Sequence, residues 1–388
     1  MKVVHLCLNT MFDVSYAYQD NLLSKYHRKA GHTVTLIATI YRSNDPQTGK
    51  VRKSPLREET TAEGVKVLRL TPWLPERVNR RYHLYHGLAA ALEKEHPDLL
   101  FVHGLASLTY LCLLSYHRRH PETHIVFDNH GDRFNSCRNL LAYCHNRYFL
   151  RWVVTRRLAR IGSRFYGVTP ARCDFLRDIY GIPEDKIGLL LMGADDDAVE
   201  AARDGGWRER IRAEYAIGPE DVLVVTGGKI DRQKNIHLLA QAVAESRFKN
   251  LKLLVFGAVT EEMKPVFDAL DSDRVFFAGW VPSQEVYRYF YAADLVLFPG
   301  LHSVLWEQAL ACKVPCGFSR LDGFGHVEVA GTIRLEEHSA EAYRSKLEAL
   351  LSDPEGINTL KKAADSAERE CFLYSRIARK VEMDVTEA

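Results

Sequence analysis

Strand-like and helix-like segments alternate along the whole chain, and this alternation constrains the fold more than any other feature. Short apolar runs rich in β-branched and aromatic residues are separated by stretches with helical spacing. Such a pattern predicts right-handed β-α-β units and parallel sheets covered by helices on both faces. The predicted strands are Lys2–Leu8, Thr33–Ile40, Val65–Leu70, Leu99–Val102, His124–Asp128, Arg164–Val168 and Ile187–Leu191, then Val222–Thr226, Leu251–Phe256, Val275–Ala278, Leu295–Phe298 and Val314–Phe318.

Twelve strands would be unusual in one sheet, and 388 residues exceed what one hydrophobic core usually serves. We therefore predict an α/β protein with two doubly wound, Rossmann-like domains. Polar and glycine-rich residues interrupt the strand pattern between Gly193 and Glu220. On this basis we assign residues 1–197 to an N-terminal domain, 198–219 to a linker and 220–371 to a C-terminal domain.

Composition narrows the class of protein. The chain contains no run of about 18 apolar residues, the length that a membrane-spanning helix requires. Its eight cysteines include no C-x-x-C pair, which favours buried free thiols in a reducing compartment over disulfides or a zinc site. We therefore expect a cytoplasmic protein.

The charge is unevenly distributed, although the net charge is only +2. Residues 1–190 contain 28 Lys and Arg against 17 Asp and Glu, whereas residues 191–388 contain 24 against 33. A basic half favours an anionic partner, and a peripheral contact with the inner face of a membrane stays open. Because no basic stripe is interleaved with aromatic residues, we expect no nucleic acid. The five arginines of Arg147–Arg160 scatter around an α-helical wheel, so we expect a solvated helix there.

A glycine- and lysine-containing loop follows the strand Val222–Thr226. It runs from Gly227 to Asn235, carries Gly228, Lys229 and Lys234, and leads into an apolar helix. Glycines allow close backbone approach, and helix-start amides with cationic side chains can neutralise a diphosphate. The alternative is a solvated basic turn. The order of strand, glycines, cations and helix favours a phosphate site.

A single carboxylate, Glu307, follows the strand Leu295–Phe298 in otherwise apolar sequence. An unpaired buried carboxylate is costly, and two ribose hydroxyls would provide partners for it. A salt bridge or a partly exposed helix position would explain it as well, and the sequence leaves these alternatives open.

Histidines mark the ends of two strands in the first half. His103 follows Leu99–Val102, and His130 follows Asp128 and Asn129. Polar groups there could bind sugar hydroxyls, but a lone histidine is more often structural, so both roles stay open. We interpret the acidic runs 195–197 and 271–273 as solvated loop residues and predict no metal site.

At these loops the sequence resembles glycosyltransferase family 4, whose members retain anomeric configuration and have the GT-B fold, two Rossmann-like domains facing a central cleft. The resemblance covers essentially the whole chain. It rests on five motifs that occur in the family's order, and no single motif is decisive. The motifs of the second half are Gly228-Lys229…Lys234-Asn235, Ala278–Val281, Ala292–Pro299 and Glu307–Pro315. In the first half, Tyr16–Asn21 with Lys29–Val34, His103, Asn129–Gly131 and Asp185–Asp195 resemble family segments as well. Residues 372–388 resemble the family's helix that returns to the N-terminal domain.

The resemblance and the chemistry of these loops together predict a set of site residues. Donor-binding residues would be Gly228, Lys229, Lys234, Trp280, Val281, His302, Ser303, Val304 and Glu307. Catalytic residues would be His130, Lys229, Lys234 and His302, and acceptor-binding residues would be Ser15, Tyr16, Tyr18 and His103.

One departure concerns the loop before Glu307. The family places a second Glu eight residues earlier, where this chain has Pro299, and the loop is four residues shorter. We hypothesise that His302 and Ser303 replace the missing sugar contacts.

The resemblance implies a retaining glycosyltransferase that moves a hexosyl group from a nucleoside-diphosphate sugar to an acceptor hydroxyl in polysaccharide or glycoconjugate biosynthesis. We expect a UDP-type donor, a sugar or lipid-linked acceptor, and neither a cofactor nor a metal. A sugar-nucleotide epimerase of the same fold and a non-catalytic partner subunit are the alternatives.

Overall fold

The computed structural model describes residues 1–44, 50–270 and 272–386, and the chain forms two units. One consists of Met1–Leu191 with Ile377–Ala388, and the other of Met192–Arg376. Asp271 of the second acidic run and the last two residues of the segment 372–388 lie outside the described residues.

The first unit is built on an eight-stranded sheet whose central strands are buried on both faces, as a parallel sheet between helices requires. The strand order is β10-β9-β8-β7-β1-β2-β6-β5, and only β5 runs antiparallel to its neighbour. The short strands β3 and β4 form a separate antiparallel pair. The strands are β1 Lys2–Cys7, β2 Thr33–Thr39, β3 Tyr41–Asn44, β4 Val51–Lys53, β5 Glu58–Thr60, β6 Lys66–Leu70, β7 Leu99–His103, β8 His124–Asn129, β9 Arg164–Gly167 and β10 Ile187–Leu189.

Helices connect these strands and cover the sheet. The α-helices are Gln19–Lys29, Glu76–Tyr82, Leu88–Glu95, Leu113–Arg119, Arg133–Ser136, Leu140–Cys144, Arg156–Leu158, Pro170–Phe175 and the last helix Tyr374–Thr386. Two segments, His145–Thr155 and Leu176–Tyr180, are π-helices, and Leu108–Cys112 and Glu184–Lys186 are 3-10 helices.

The second unit contains a six-stranded, fully parallel sheet of order β13-β12-β11-β14-β15-β16. The strands are β11 Val222–Gly227, β12 Leu251–Phe256, β13 Val275–Gly279, β14 Leu295–Phe298, β15 Cys316–Ser319 and β16 Thr332–Leu335. The α-helices are Asp196–Asp204, Trp207–Glu214, Ile236–Glu245, Lys264–Asp268, Val286–Ala292, Leu305–Ala311, Ala340–Ser352 and Gly356–Ala364, with 3-10 helices at Arg232–Lys234, Gly325–Val327 and Ala367–Phe372.

The predicted α/β class with two doubly wound parallel sheets is confirmed. The unit boundaries differ from the assigned ones. Residues 198–219 are not an irregular linker, because two helices form there as part of the second unit. Asp195 caps the first of them by accepting from the Asp197 amide, and Val199, Ala202 and Ile211 are buried.

The sequence analysis did not predict β3, β4, β5 or β16. The first three have only three or four residues, too few for a two-residue period to stand out.

Candidate functional site

The sheet of the second unit reverses its direction of winding between β11 and β14, which are neighbours. The chain proceeds from β11 to β12 on one side, and β14 is followed by β15 on the other. In open parallel sheets, ligands bind outside the carboxyl ends of the strands at such a switch point. The loops after β11 and β14 are therefore the expected ligand-binding loops of this sheet.

Hydrogen bonds hold these two loops together. Lys234 donates from Nζ to the carbonyl oxygens of Leu301 at 2.5 Å and His302 at 3.2 Å. Asn235 donates from Nδ2 to the carbonyl of Pro299 at 3.1 Å. Burial lowers the pKa of Lys234. Two of its three N–H donors bind the second loop, so Lys234 both positions that loop and brings a positive charge to it.

Lys229, the other predicted phosphate ligand, is in a different environment. Its side chain is 70% exposed, and Nζ lies 3.6 Å from Oδ2 of Asp231. An exposed ammonium with one distant carboxylate can turn toward an incoming anion. The structure thus assigns the two lysines different local roles.

The glycines of this region are required by close backbone contacts. Gly228 has φ of 115°, a conformation that L side chains rarely adopt. A Cβ at Gly300 would lie 2.4 Å from the carbonyl oxygen of Gln233 and from backbone atoms of Lys234. These glycines let the loops after β11 and β14 approach each other.

Glu307 lies in the first turn of helix Leu305–Ala311, and its side chain is fully buried. Its Oε1 accepts from Nε2 of His302 at 2.8 Å and from Nε2 of His326 at 2.9 Å. Among the described residues, Oε2 has no hydrogen-bond partner. Burial by itself would raise the pKa of this carboxyl, but the two histidines outweigh it and hold the pKa at about 2.

Of the alternatives for Glu307, the structure shows the paired carboxylate. A ribose contact stays a prediction, and Oε2 is the oxygen that could make it.

His302 lies against this carboxylate and packs between aromatic rings. Its ring centroid is 5.1 Å from that of Trp306 and 4.6 Å from that of Phe324, and only 6% of the side chain is exposed. The predicted contact of His302 with the donor sugar stays a prediction. In this conformation its Nε2 is bound to Glu307.

The sequence analysis missed His326. It lies in the 3-10 helix Gly325–Val327, in the loop after β15, the strand next to β14. Reading every strand end in turn would have found it, because the rule used for the loops after β11 and β14 applies equally to β15.

The remaining predicted donor residues lie along the same edge. Ser303 and Val304 directly precede helix Leu305–Ala311. Trp280 and Val281 follow β13, two strands from β11, and Trp280 is 72% exposed. No described hydrogen bond or ring contact brings Trp280 or Val281 to the two loops.

The first unit has its own cluster at the ends of β7 and β8. Nδ1 of His103 lies 2.8 Å from Oδ2 of the fully buried Asp128, and the Gly104 amide donates to Oδ1 at 2.8 Å. His130, 42% exposed, places Nε2 3.5 Å from Oδ2. Although burial opposes it, the charges of Asp20 and Asp128 raise the pKa of His103. The pKa of Asp128 lies well below its ordinary value, because His103 and His130 outweigh its burial.

Two further histidines that the sequence analysis did not single out extend this cluster into the core. Nδ1 of His5, on β1, lies 3.0 Å from Nε2 of His103, and Nε2 of His5 lies 3.0 Å from Nδ1 of His27. Burial lowers the pKa of both His5 and His27, the latter to about 3. The positive charge in this series is therefore most stable on His103, beside the carboxylates.

The predicted acceptor residues lie in the loop before helix Gln19–Lys29. The Ser15 hydroxyl donates to Oδ1 of Asp13 at 2.8 Å, and Arg42 donates to both oxygens of Asp13 at 2.9 Å. The rings of Tyr16 and Tyr18 are 5.0 Å apart, and Tyr18 is 62% exposed. The Asp13–Arg42 pair, which the sequence analysis missed, thus fixes the base of this loop.

The loop is brought near the His103 cluster by the residues that follow it. Nε2 of Gln19 lies 3.5 Å from Oδ2 of Asp128, and Oδ1 of Asp20 lies 3.4 Å from Nδ1 of His103. Ser15, Tyr16, Tyr18 and His103 therefore belong to one region of the first unit.

Within the described part of the chain, two groups of side chains have donor atoms spaced closely enough to hold a metal ion. They are Cys7, Asp20 and His103 in the first unit and His302, Glu307 and His326 in the second, with donor atoms within 4.8 Å of one another in each group. Hydrogen bonding accounts for most of these contacts, and the expectation that no metal is needed stays a prediction.

Comparisons with known proteins match both units. Residues 21–198 match the family described as Glycosyltransferase Family 4, and residues 208–368 match the family described as Glycosyl transferases group 1. A protein of the cps region of Klebsiella pneumoniae, described as uncharacterized, is 24% identical over 121 residues, a stretch that covers 31% of each chain.

Solved structures are similar over the whole length. A glycosyltransferase from Rickettsia africae has a TM-score of 0.72 at 14% identity, covering 100% of this chain and 98% of its own. HepE of Anabaena, solved in complex with UDP and glucose, has a TM-score of 0.64 at 13% identity, with 100% of both chains covered. At these identities the likeness establishes the fold.

Proposed function

Because the chain belongs to the glycosyltransferase family 4 type of enzymes with the GT-B fold, we propose that it transfers a hexosyl group from a nucleoside-diphosphate sugar to an acceptor hydroxyl with retention of anomeric configuration. That it is a glycosyltransferase follows from the family. The donor, the acceptor and the stereochemical course belong to the proposal.

The observation that best supports the proposed donor site is the junction of the loops after β11 and β14. Lys234 binds the loop after β14, Lys229 is exposed on the loop after β11, and the buried Glu307 lies in the helix that follows β14, next to the switch point of a parallel sheet. In the proposal, Lys229 and Lys234 stabilise the departing diphosphate, a role for cationic side chains that requires no metal. Glu307 would accept a ribose hydroxyl through Oε2, with Gly228, Ser303 and Val304 as backbone neighbours of the phosphates.

The sugar and acceptor ends are assigned to histidines and to the loop before Gln19. His130, the exposed member of the Asp128 cluster, is proposed as a sugar-orienting residue of the first unit. In the second unit, His302 is proposed as the donor-sugar contact. Ser15, Tyr16, Tyr18 and His103 would meet the acceptor, a sugar or a lipid-linked glycan. Trp280 and Val281 would contact the base.

A UDP-type donor is proposed, since HepE, a structural relative, was solved with UDP and glucose. Use of this donor in polysaccharide or glycoconjugate assembly in the cytoplasm is the accompanying hypothesis. A helix both long and apolar enough to cross a bilayer does not occur in the described part of the chain.

A thermal-shift panel tests the donor site. UDP-glucose, UDP-galactose, GDP-mannose and ADP-glucose would be compared, and a ligand that binds only the folded state raises the melting temperature. We expect the largest rise in melting temperature with a UDP-sugar. The rise should be lost in Lys229→Ala. It should persist in the control Lys249→Ala, which changes an exposed lysine of the same unit. No rise with any sugar nucleotide would contradict the proposal. For an active donor, NMR of the product's anomeric proton decides between retention and inversion.

A further inference from the structure

The first unit carries a surface segment, residues 133–160, that combines exposed apolar side chains with arginines. It comprises helices Arg133–Ser136 and Leu140–Cys144, the π-helix His145–Thr155 and the short helix Arg156–Leu158. We call it the apolar-basic segment. Its chemistry takes no part in the proposed transfer reaction.

Six large apolar side chains of this segment face solvent. They are Phe134 (65% exposed), Leu140 (74%), Leu141 (82%), Tyr148 (57%), Phe149 (37%) and Trp152 (54%). Single exposed apolar residues are ordinary, but several within one short segment indicate an interaction surface. Leu150, Val154 and Leu158 of the same segment are buried in the core of the unit, so Tyr148, Phe149 and Trp152 lie on the side that faces away from the core.

The charge of this segment is of one sign. Residues 133–160 include seven arginines and no Asp or Glu. Arg156 stacks on the ring of Trp152, with its guanidinium carbon 4.4 Å from the ring centroid. In the described ranges, no carboxylate lies within 4.0 Å of Arg138, Arg147 or Arg157, whereas Arg133 is paired with Asp178. These cations are therefore available to an external anion.

The structure differs from the expectation of a solvated helix, because one side of the segment packs in the core. His145–Thr155 is a π-helix in which Asn146, Leu150 and Val154 are buried. Tyr148 and Trp152, which are four residues apart, lie on the exposed side, and Leu141 of the preceding α-helix is exposed as well.

We propose that the apolar-basic segment docks the protein on the surface of an anionic lipid bilayer. Leucine and aromatic side chains would enter the region between headgroups and acyl chains, and the arginines would pair with lipid phosphates. Tryptophan and tyrosine prefer this interfacial layer because their rings are apolar with one polar group. The assignment rests on the exposed face and its charge, independently of the proposed glycosyl transfer.

A second copy of the chain is a poorer occupant. In a twofold dimer the same patch would face itself and bring the arginines of the two copies together without acidic residues from this segment to compensate them. A bilayer that contains anionic lipids provides the complementary charge.

Vesicle co-sedimentation of the full chain without nucleotide tests the proposal. Vesicles of phosphatidylcholine alone would be compared with vesicles containing about 30% phosphatidylglycerol. We expect the parent protein to bind the anionic vesicles. Binding should weaken at least tenfold in the double variant Leu140→Ser/Leu141→Ser. It should also weaken in Arg147→Gln/Arg156→Gln and at high salt. The matched control, Leu56→Ser/Arg57→Gln, changes an exposed leucine and arginine elsewhere in the first unit and should bind as the parent does.

Three results would overturn the proposal. They are absence of binding to anionic vesicles, equal loss in the control variant, and a dimer in light scattering that the Leu140→Ser/Leu141→Ser change dissociates. Melting temperatures of all variants exclude unfolding as the cause, since exposed positions should change them little. Sugar-nucleotide binding measured on the same variants should be unaltered, so failure here leaves the proposed function standing.

Discussion

Asp128 in the first unit and Glu307 in the second are both fully buried carboxylates beside two histidines, near the carboxyl end of a parallel sheet. They differ in how completely they are satisfied. Both oxygens of Asp128 have partners, the Gly104 amide on Oδ1 and His103 on Oδ2. At Glu307 both histidines bind Oε1, and Oε2 has no described partner.

The difference indicates two roles for a buried carboxylate, one that positions neighbouring side chains and one that binds a ligand. A carboxylate with a partner on each oxygen positions its neighbours, here His103 and through it His5 and His27. A carboxylate with one oxygen unsatisfied carries a desolvation cost that a ligand hydroxyl would relieve. We therefore interpret Asp128 as a positioning residue and Glu307 as a binding residue.

The largest effect is expected from Asp128→Asn. In either orientation of the amide, its NH2 group would face a donor, the Gly104 amide or Nδ1 of His103. Breaking a buried charge pair on one side costs about 3–5 kcal/mol, and we expect that loss in the free energy of unfolding from urea titration. Glu307→Gln should cost less, about 1.5–3 kcal/mol, because its NH2 group can take the place of the unsatisfied Oε2. Equal losses in the two variants would contradict the comparison.

The acid stability of the second unit should depend on Glu307. Its folded pKa of about 2 lies below the ordinary value of 4.5, so the ionised form stabilises the fold above pH 4.5. This contribution, about 3 kcal/mol at about 1.4 kcal/mol per pKa unit, is lost as the pH falls from 4.5 toward 2.

Melting temperatures of the parent and of Glu307→Gln at pH 7, 4.5 and 3 would measure this contribution. The difference between the two proteins should shrink toward low pH. A constant difference would show that the Glu307 carboxylate does not contribute in this way.

Variants of the two lysines in the loop after β11 should differ in their effects on ligand affinity and on protein stability. Lys229→Ala and Lys234→Ala should each weaken diphosphate binding by about 1.5–3 kcal/mol, the range for hydrogen bonds to charged groups. Only Lys234→Ala should also lower the melting temperature, because Lys234 alone donates to the carbonyls of Leu301 and His302. Calorimetry would measure the affinity of each variant for UDP, and thermal unfolding of the same samples would measure its melting temperature. Unchanged affinity for UDP in both variants would contradict the assignment of a phosphate site to this loop.

The smallest effect is expected from metal removal. If hydrogen bonding alone accounts for the His103 and His302 clusters, glycosyl transfer should continue in excess EDTA. Loss of activity that manganese or magnesium restores would mean that metal-binding carboxylates take part. Restoration by zinc alone would point to a histidine-containing group, since imidazole suits zinc.

Local patterns in the sequence determined the α/β class, the two sheets and the loop with Lys229 and Lys234. The strand and helix periods are local properties, and a strand end followed by glycines, cations and a helix is continuous in the chain. The same reasoning placed His103 and His130 at strand ends and Glu307 in the segment that follows β14. It failed for the segment 198–219, where two short helices lie between polar residues.

Only the tertiary structure decided which of these residues meet. His5 lies 98 residues from His103, and His326 lies 19 residues from Glu307 on a different loop, so no spacing rule connects either pair. The parallel order of β1, β7 and β8, and of β14 and β15, brings them together. The outward face of residues 133–160 likewise depends on which side of the segment packs against the core. Such contacts arise from the packing of whole elements, which a one-dimensional pattern does not specify.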